Sequence, residues 1–510
     1  MIDVNNEYTV KIESVSSDGN GICHIDGMAV FVPYTAAGDE VKIKITNTKK
    51  RFAEGVLTEI ITPSLDRTAP DCGIFGKCGG CSLRHIKYEK QLEIKREIVN
   101  NAMRRIGGFK DFTVGEIIGM ENPTRYRNKT IFHADKNSVG FYSAKSHTVV
   151  PVTDCAIGAE ENAEIINAIS EFDMTELFTR KSFSTGDIMV CVKAENTDAK
   201  KLTAAVSGAC KSVKSIYLNG ENIYGLAAIT DTLCGIEFRI SPESFFQVNP
   251  VQTEKLYAKA LEFAGLDKTM TVMDIYCGIG TISLCAAKKA RRVIGVEIVE
   301  RAIDDAKENA KLNEISNAEF YARGAEKIVP YLIKSGEVPD VVILDPPRKG
   351  SDEKTLGSVL RSKPERIVYV SCNPATLARD ARFLSDGGYT VSKAAAVDLF
   401  PHTSHVETVV LLCRKLDEAE RHVSVTIETE EGWRADRRVN ATYGQIKNWI
   451  AEHYDGMKVS SLYIAQTKQK HGIIERENYN KPKNGNSKVP HCPPEKENAI
   501  TDALKHFRMI

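Results

Sequence analysis

Cys372, in Ser371-Cys372-Asn373-Pro374, follows the short apolar run Ile367-Val368-Tyr369-Val370, and Glu407 lies downstream in His405-Val406-Glu407-Thr408. Upstream stand Asp345-Pro346-Pro347-Arg348 and the turn Asp274-Ile275-Tyr276-Cys277-Gly278-Ile279-Gly280-Thr281. A cysteine thiolate is a nucleophile, a carboxylate is a general base, and a glycine turn at a strand end receives a nucleotide-like cofactor. Methylating carbon 5 of a uracil needs those three parts, because that ring carbon is too poor a nucleophile to attack a methyl donor unaided.

The turn follows Val272-Met273 and precedes a helical stretch, and its glycines let the backbone approach a ligand without a Cβ clash. Glu297 ends the next strand, Arg292-Val293-Ile294-Gly295-Val296-Glu297, where a carboxylate can accept hydrogen bonds from two ribose hydroxyls. Ser283 stands where a dinucleotide fingerprint has its third glycine. No pyrophosphate cradle is expected, which favours S-adenosylmethionine over NAD. The competing reading is an α/β turn with no ligand.

Asp345 sits at the carboxyl edge of the strand Val341–Leu344, the side on which open α/β sheets bind ligands. Methyltransferases of exocyclic amines often place an aromatic residue after such prolines; here it is Arg348, which argues against amino-nitrogen chemistry. A helix expected over Thr376–Phe383 would aim its N-terminus at Cys372 and favour the thiolate. The competing readings are a buried structural thiol and a solvated loop glutamate. His402 and His405 are rival bases, and Cys277, Cys285 and Cys413 read as core or loop-lining residues.

Cys72, Cys78 and Cys81 are too close together to be idle. Their spacing lacks the two short pairs usual at zinc sites, and iron–sulfur and zinc both remain open on spacing alone. Arg125-Tyr126-Arg127-Asn128-Lys129 interleaves cations with a ring, as a strand touching RNA would, or as an edge strand with solvated charges would.

These residues sit in a chain of 510 residues, long enough for several domains, with 42% hydrophobic and 27% charged residues. Lys plus Arg equals Asp plus Glu at 68 each, so any basic surface must be local. No apolar run reaches the roughly 18 residues of a membrane span, and Met1 to Glu7 does not read as a signal peptide. Thirteen cysteines without a secretory signal point to a reducing cytoplasm. Residues 1–62 alternate in short runs, such as Val41-Lys42-Ile43-Lys44-Ile45, with turns at Asp18-Gly19-Asn20-Gly21 and Ala37-Gly38-Asp39. They are expected to form a small β-barrel. Residues 63–240 read as an α+β middle domain. It includes an amphipathic helix over Lys87–Arg105 with Leu92, Ile94, Ile98, Ala102 and Met103 inward, with packing of this helix on the next domain as the alternative. Residues 241–415 alternate strands and helices, as in a Rossmann-like parallel α/β domain. Residues 416–510 form an accessory extension of unassigned role, carrying Trp433, Trp449, Tyr463, Tyr479, Lys468, Lys470, Lys481, Lys483 and Lys488. A flexible loop is expected over 481–488.

Two resemblances follow from these motifs. Asp-Gly-x-Gly-Ile, Val-Phe-Val-Pro and Gly-Asp-x-Val make residues 1–62 similar to a TRAM domain, an OB-like RNA-binding barrel. Phe245-Phe246-Gln247-Val248-Asn249, the Asp274 turn, Asp345-Pro346-Pro347-Arg348-Lys349-Gly350, the run from Ser371 to Asp380 and His405-Val406-Glu407-Thr408 resemble the RNA (uracil-5-)-methyltransferase family, in order, over about residues 1–415. That resemblance implies Cys372 as nucleophile, Glu407 as base, and Gln247, Tyr276, Glu297 and Asp345 as the S-adenosylmethionine pocket. It also implies Cys155 as a fourth ligand beside Cys72, Cys78 and Cys81, holding a [4Fe-4S] cluster. Barrel and cluster together resemble the 23S ribosomal RNA branch. RNA is thus the expected partner, with no obligate protein partner and a monomeric chain. The alternatives are the same reaction on tRNA and a catalytically silent RNA-binding protein.

Overall fold

The computed structural model describes residues 2–135, 138–144, 146–415, 442–471, 473, 491–507 and 509–510. The chain divides into two compact units, residues 1–419 and 420–510.

In the first unit, the N-terminal six-stranded sheet follows from period-2 patterning. Along Glu40–Thr48, Val41, Ile43 and Ile45 are buried and their neighbours face outward. Those three pack on Val30, Val32 and Ala53 in the interior. A seven-stranded sheet comes next, and helices Asn162–Ile169 and Ala199–Ala209 cover one of its faces through Ile165, Ile169, Leu202 and Val206.

The third sheet positions the chemistry. Its strand order is Ala318–Ala322, Arg292–Glu297, Thr271–Ile275, Val341–Leu344, Arg366–Ser371, Glu407–Arg414, Tyr389–Val397, Glu116–Ile118. The first five strands run parallel, and Glu407–Arg414 is antiparallel to both of its neighbours. Chain order reverses between Thr271–Ile275 and Val341–Leu344. That is the switch point where doubly wound sheets open a crevice at their carboxyl ends.

Several elements upstream of residue 241 build onto this third sheet. Glu116–Ile118 forms its edge, and the hairpin Ile229–Leu233 with Ile236–Ile240 shares a core with Leu256, Ile282 and Val293. Helix Tyr88–Arg105 packs its Val99 and Met103 beside Leu377 and Ala381 of helix Pro374–Asp386. Its buried stripe is Gln91, Ile94, Lys95, Val99, Asn100 and Met103, whereas the expected Leu92, Ile98 and Ala102 are only half-buried. The stripe is rotated because polar Gln91 and Lys95 face loop groups that satisfy them.

The second unit holds helices Tyr443–His453, Ser461–Lys470 and Pro494–His506 around Ile446, Ile450, Ile464, Ile500 and Leu504. Trp449 is stacked between His453 and His506. Lys470 pairs with Glu497 at 2.7 Å. Trp433, Tyr479, Lys481, Lys483 and Lys488 lie outside the described residues, as does the loop expected over 481–488. Among the described residues, no helix is long and apolar enough to cross a membrane.

Candidate active site

At the switch point the chain leaves its strand through Tyr276, Gly278 and Gly280, all at positive φ (74°, 55° and 83°). The space a Cβ would fill at Gly278 is open, so a ligand can approach the backbone there. Asp274, fully buried beneath the turn, accepts from Ser283 Oγ at 2.5 Å, while its Oδ1 has no protein partner. Burial, with some help from the Glu297 charge, pushes Asp274 up to about 7. The Glu297 carboxylate is held by the amides of Ile298 (2.8 Å), Val299 (3.1 Å) and Gly278 (3.3 Å) at the end of the next strand. The Tyr276 hydroxyl lies 2.8 Å from Ser351 Oγ. An open glycine turn, a fixed carboxylate and an orphaned buried acceptor fit an adenosyl cofactor. Gln247 is nearly buried, its carbonyl tied to Asn128 Nδ2 at 3.0 Å, and Phe245 two positions earlier is 70% exposed.

Asp345 begins the loop after Val341–Leu344, and burial next to Asp274 pushes it up to about 7. Arg348 is pinned to the following motif, its carbonyl accepting from Asn373 Nδ2 at 3.0 Å and Thr376 Oγ1 at 3.3 Å. Farther along, Asp380 receives the Ser351 amide (2.8 Å) and the Tyr369 hydroxyl (2.5 Å), which ties the loop to helix Pro374–Asp386.

Cys372 stands just before this helix. Asn373 is the N-cap, accepting the Ala375 amide at 3.0 Å, and Pro374 opens the first turn. The antiparallel ladder pairs Ser371 with Thr408, which sets Cys372 opposite Glu407 one residue beyond it. Glu407 is 4% exposed; burial, then the Asp345 charge, raises it to about 8, with Arg348 opposing. Cys372 is raised to about 11 by burial and by the Glu407 and Asp345 charges, against Arg348. The thiolate-favouring helix terminus expected from sequence is therefore outweighed in the ligand-free protein by desolvation and two carboxylates. Cys372 opens into a cleft of about 860 Å³ whose other walls include Ser16 and Asp18 of the barrel and Ile94 and Ile98 of helix Tyr88–Arg105. His405 also lines this cleft, and burial lowers its pKa.

The loop leading to Glu407 is braced by residues that sequence reading did not single out. Lys95, fully buried, donates to Asp398 Oδ1 at 2.5 Å and to the Phe400 carbonyl at 2.9 Å. The Tyr88 hydroxyl donates to Asp398 Oδ2 at 2.9 Å. Gln91 Oε1 accepts the His402 amide at 3.0 Å, and the Ser82 and Leu83 amides reach the His402 carbonyl at 3.1 and 2.9 Å. His402 itself, at φ 68°, is held down at about 4 by burial and the nearby Arg84. The available sequence signal was a glutamine and a lysine on the buried stripe of a helix, positions polar residues occupy only with partners.

Arg125 and Tyr126 depart from the RNA-facing role expected of the Arg125–Lys129 segment. Tyr126 is fully buried and donates to the Pro401 carbonyl at 3.0 Å, and Arg125 is engaged bidentately by Asp154 at 2.6 and 2.7 Å. Burial against the thiol-bearing segment and the 401 loop is worth more here than stacking in solvent.

Cys72, Cys78, Cys81 and Cys155 lie near enough for Cys81 to feel the charge of the other three and Cys78 that of Cys72 and Cys155. Burial raises Cys78 and pushes Cys81 up to about 12. The Gly80 amide donates to Cys78 Sγ at 3.3 Å, and Met120, Tyr126 and Ile157 form an apolar wall behind Cys81 and Cys155. Among the described residues no three such side chains converge on the point a single metal ion would occupy. Four thiols with an amide aimed at one sulfur are donors of the kind that iron–sulfur groups take.

Residues 189–415 match the family model described as tRNA (Uracil-5-)-methyltransferase, and residues 3–58 match the TRAM domain. An uncharacterized RNA methyltransferase of Listeria monocytogenes is 40% identical over 447 residues, 81% of this chain and 98% of that protein. Another, of Clostridium acetobutylicum, is 42% identical over 448 residues, 80% and 97% of the two chains. Among solved structures, the tRNA (uracil-54, C5)-methyltransferase of Pyrococcus abyssi in complex with S-adenosyl-L-homocysteine superposes with a TM-score of 0.64 at 28% identity. The match covers 79% of this chain and all of that one. Fold and relatives together define an S-adenosylmethionine-dependent RNA methyltransferase. More narrowly, the chain belongs to the RNA uracil-5-methyltransferase family, with an N-terminal TRAM domain.

Proposed function

We propose that this protein methylates carbon 5 of a uridine in 23S ribosomal RNA. The observation that carries the chemistry is the placement of Cys372, which lines the cleft, opposite Glu407, which feels the Asp345 charge. The target uridine leaves its stack and enters there. The Cys372 thiolate adds to carbon 6, which turns carbon 5 into an enolate carbon. Carbon 5 takes the methyl group of S-adenosylmethionine, which Gln247, Tyr276, Glu297 and Asp345 would hold and which leaves as S-adenosylhomocysteine. Glu407 then takes the carbon 5 proton, and the carbon 6–sulfur bond breaks to release Cys372. Arg348, which lowers the pKa of both Cys372 and Glu407, favours their charged forms during the cycle.

Cys72, Cys78, Cys81 and Cys155 are assigned as ligands of a [4Fe-4S] cluster with a structural role. It staples residues 72–81 to the middle sheet beside the 401–404 loop. Thirteen free thiols suit the reducing cytoplasm, and the chain is assigned as a monomer.

TRAM barrel and thiol set support ribosomal RNA as the substrate. The second reading, tRNA, is favoured by the Pyrococcus abyssi relative, whose substrate is tRNA. A silent RNA-binding role is disfavoured because Cys372 and Glu407 are both present and face each other. The test incubates anaerobically purified protein with radiolabelled S-adenosylmethionine and unmodified 23S RNA or bulk tRNA, then maps labelled nucleosides. Label as 5-methyluridine in 23S fragments supports the proposal. Label in tRNA alone moves the substrate, and no label in either favours the silent role.

A further inference from the structure

The middle sheet is covered by helices on one face only. On the other, the register aligns Lys129 with Arg180 and Ile131 with Phe178, and the same ladder brings His133 onto this face. Tyr142 of the adjoining strand stacks flat on His133, with centroids 3.8 Å apart and rings 7° from parallel. Their neighbours in the strands alternate inward: Phe132, Leu177 and Thr179 are buried under the helices, while Ile131 is 44% exposed and Phe178, His133 and Tyr142 are half-exposed. Toward Ile188–Ala194 this face runs beneath the catalytic core, where Met189 and Arg180 are buried and Cys191 and Tyr217 pack; at Ile131, His133, Phe178 and Tyr142 it is open.

One partly exposed cation, Lys129, belongs to it, and a second, Arg180, lies fully buried at its closed end. Lys129 Nζ lies 4.4 Å from the Phe178 ring centroid, and the Arg180 guanidinium lies 5.4 Å from it. Neither is paired with a carboxylate among the described residues. The one acid beside them, Glu176, is neutralised by Lys193 at 2.8 Å. Arg180 also donates to the carbonyls of Ser241 (3.2 Å) and Ser244 (2.9 Å), at the head of the segment that carries exposed Phe245 and Gln247. At the opposite end, the Gly79 amide donates to the Tyr142 carbonyl at 3.2 Å, beside the thiol set.

We propose that this open face binds a single-stranded segment of the RNA substrate, flanking the target, by stacking bases on Phe178 and the His133–Tyr142 pair. Rings standing on a sheet give sequence-tolerant stacking surface, and the uncompensated Lys129 ammonium beside them attracts phosphate. A protein partner suits the face less well, because half-exposed rings under an unneutralised ammonium do not make an apolar dock. The face continues into the Ser241–Gln247 segment, so a strand leaving it arrives at the mouth of the site. The inference rests on RNA being the substrate, not on which RNA.

The test titrates fluorescein-labelled single-stranded oligouridine into the full-length protein over a series of salt concentrations, following anisotropy. Phe178→Ala is expected to weaken binding roughly tenfold, and Phe178→Tyr to retain it. Lys129→Gln is expected to lower the salt slope by about 1, and exposed Ile131→Glu to weaken binding without unfolding the sheet. Wild-type affinity and slope in every variant, as expected if the face docks a protein, would overturn the inference. So would equal losses in Phe178→Ala and Phe178→Tyr. Phe178-dependent binding without any 5-methyluridine formation would defeat the proposed reaction and leave the face standing. Methylation with Phe178-independent binding would do the reverse.

Discussion

Cys372 and Glu407 meet because two neighbouring strands run in opposite directions. Ser371 pairs with Thr408, and the nucleophile and the carboxylate are the next residues out on either strand. Burial and the Glu407 charge raise Cys372, whereas burial and the Asp345 charge raise Glu407. The incoming ring therefore finds a thiol whose ionisation is linked to the state of Glu407.

That linkage separates the two residues kinetically. Cys372→Ala is expected to abolish methyl transfer, because it removes the sulfur that adds to carbon 6. Glu407→Gln leaves addition and methylation possible but removes the proton acceptor. It is expected to slow turnover by about 10²–10⁴-fold and to accumulate protein covalently joined to RNA. Denaturing gels with labelled RNA read the adduct directly.

The pH dependence has a definite sign. Glu407 must be ionised to accept a proton, so single-turnover rates are expected to climb through about pH 8. Removing its charge in Glu407→Gln is expected to bring the Cys372 alkylation midpoint below the wild-type value of about 11. Because folding raises the Glu407 pKa from its ordinary 4.5, the folded state holds that proton more tightly. Its ionisation then subtracts stability as pH rises towards about 8. The stability gap between Glu407→Gln and wild type should shift in favour of the variant over that window, as melting curves at successive pH values would show.

Glu297 is fixed by three backbone amides before any ligand arrives. Glu297→Ala is expected to weaken S-adenosylmethionine binding by roughly 10–100-fold, the range of hydrogen bonds to a charged group. Oligouridine affinity should hold. Calorimetry with the cofactor and anisotropy with the oligonucleotide separate the two effects.

The strand–turn alternation, the cofactor turn and the order of the catalytic motifs were legible in the chain because each is local. Thr271–Ile275, Val341–Leu344 and Arg366–Ser371 are apolar runs that any parallel sheet would bury. What escaped was long-range. Lys95 and Gln91 were not among the inward positions expected of their helix, because their partners Asp398 and His402 lie some three hundred residues later. Tyr126 read as a base-stacking ring until the Pro401 carbonyl and the apolar wall behind the thiols claimed it. The thiolate argument for Cys372 weighed its own helix and could not weigh carboxylates brought in by two other strands.

These braces give a prediction of their own. Lys95→Met leaves Asp398 buried without its ammonium and is expected to destabilise the protein by about 3–5 kcal/mol. Tyr126→Phe removes one hydrogen bond, about 1 kcal/mol, and loosens the 401 loop. It is expected to reduce turnover more than cofactor affinity. Denaturant unfolding, with kcat measured apart from cofactor binding, checks both.

The central claim is covalent catalysis by Cys372, and an RNA substrate carrying 5-fluorouridine tests it most directly. Fluorine cannot leave as the proton does, so the methylated ring stays bound to the sulfur that added to carbon 6. Digestion and mass spectrometry of the trapped complex are predicted to find the fluorinated, methylated nucleotide on the peptide containing Cys372. Recovery of the nucleotide on another cysteine, or turnover with no adduct at all, would contradict the account.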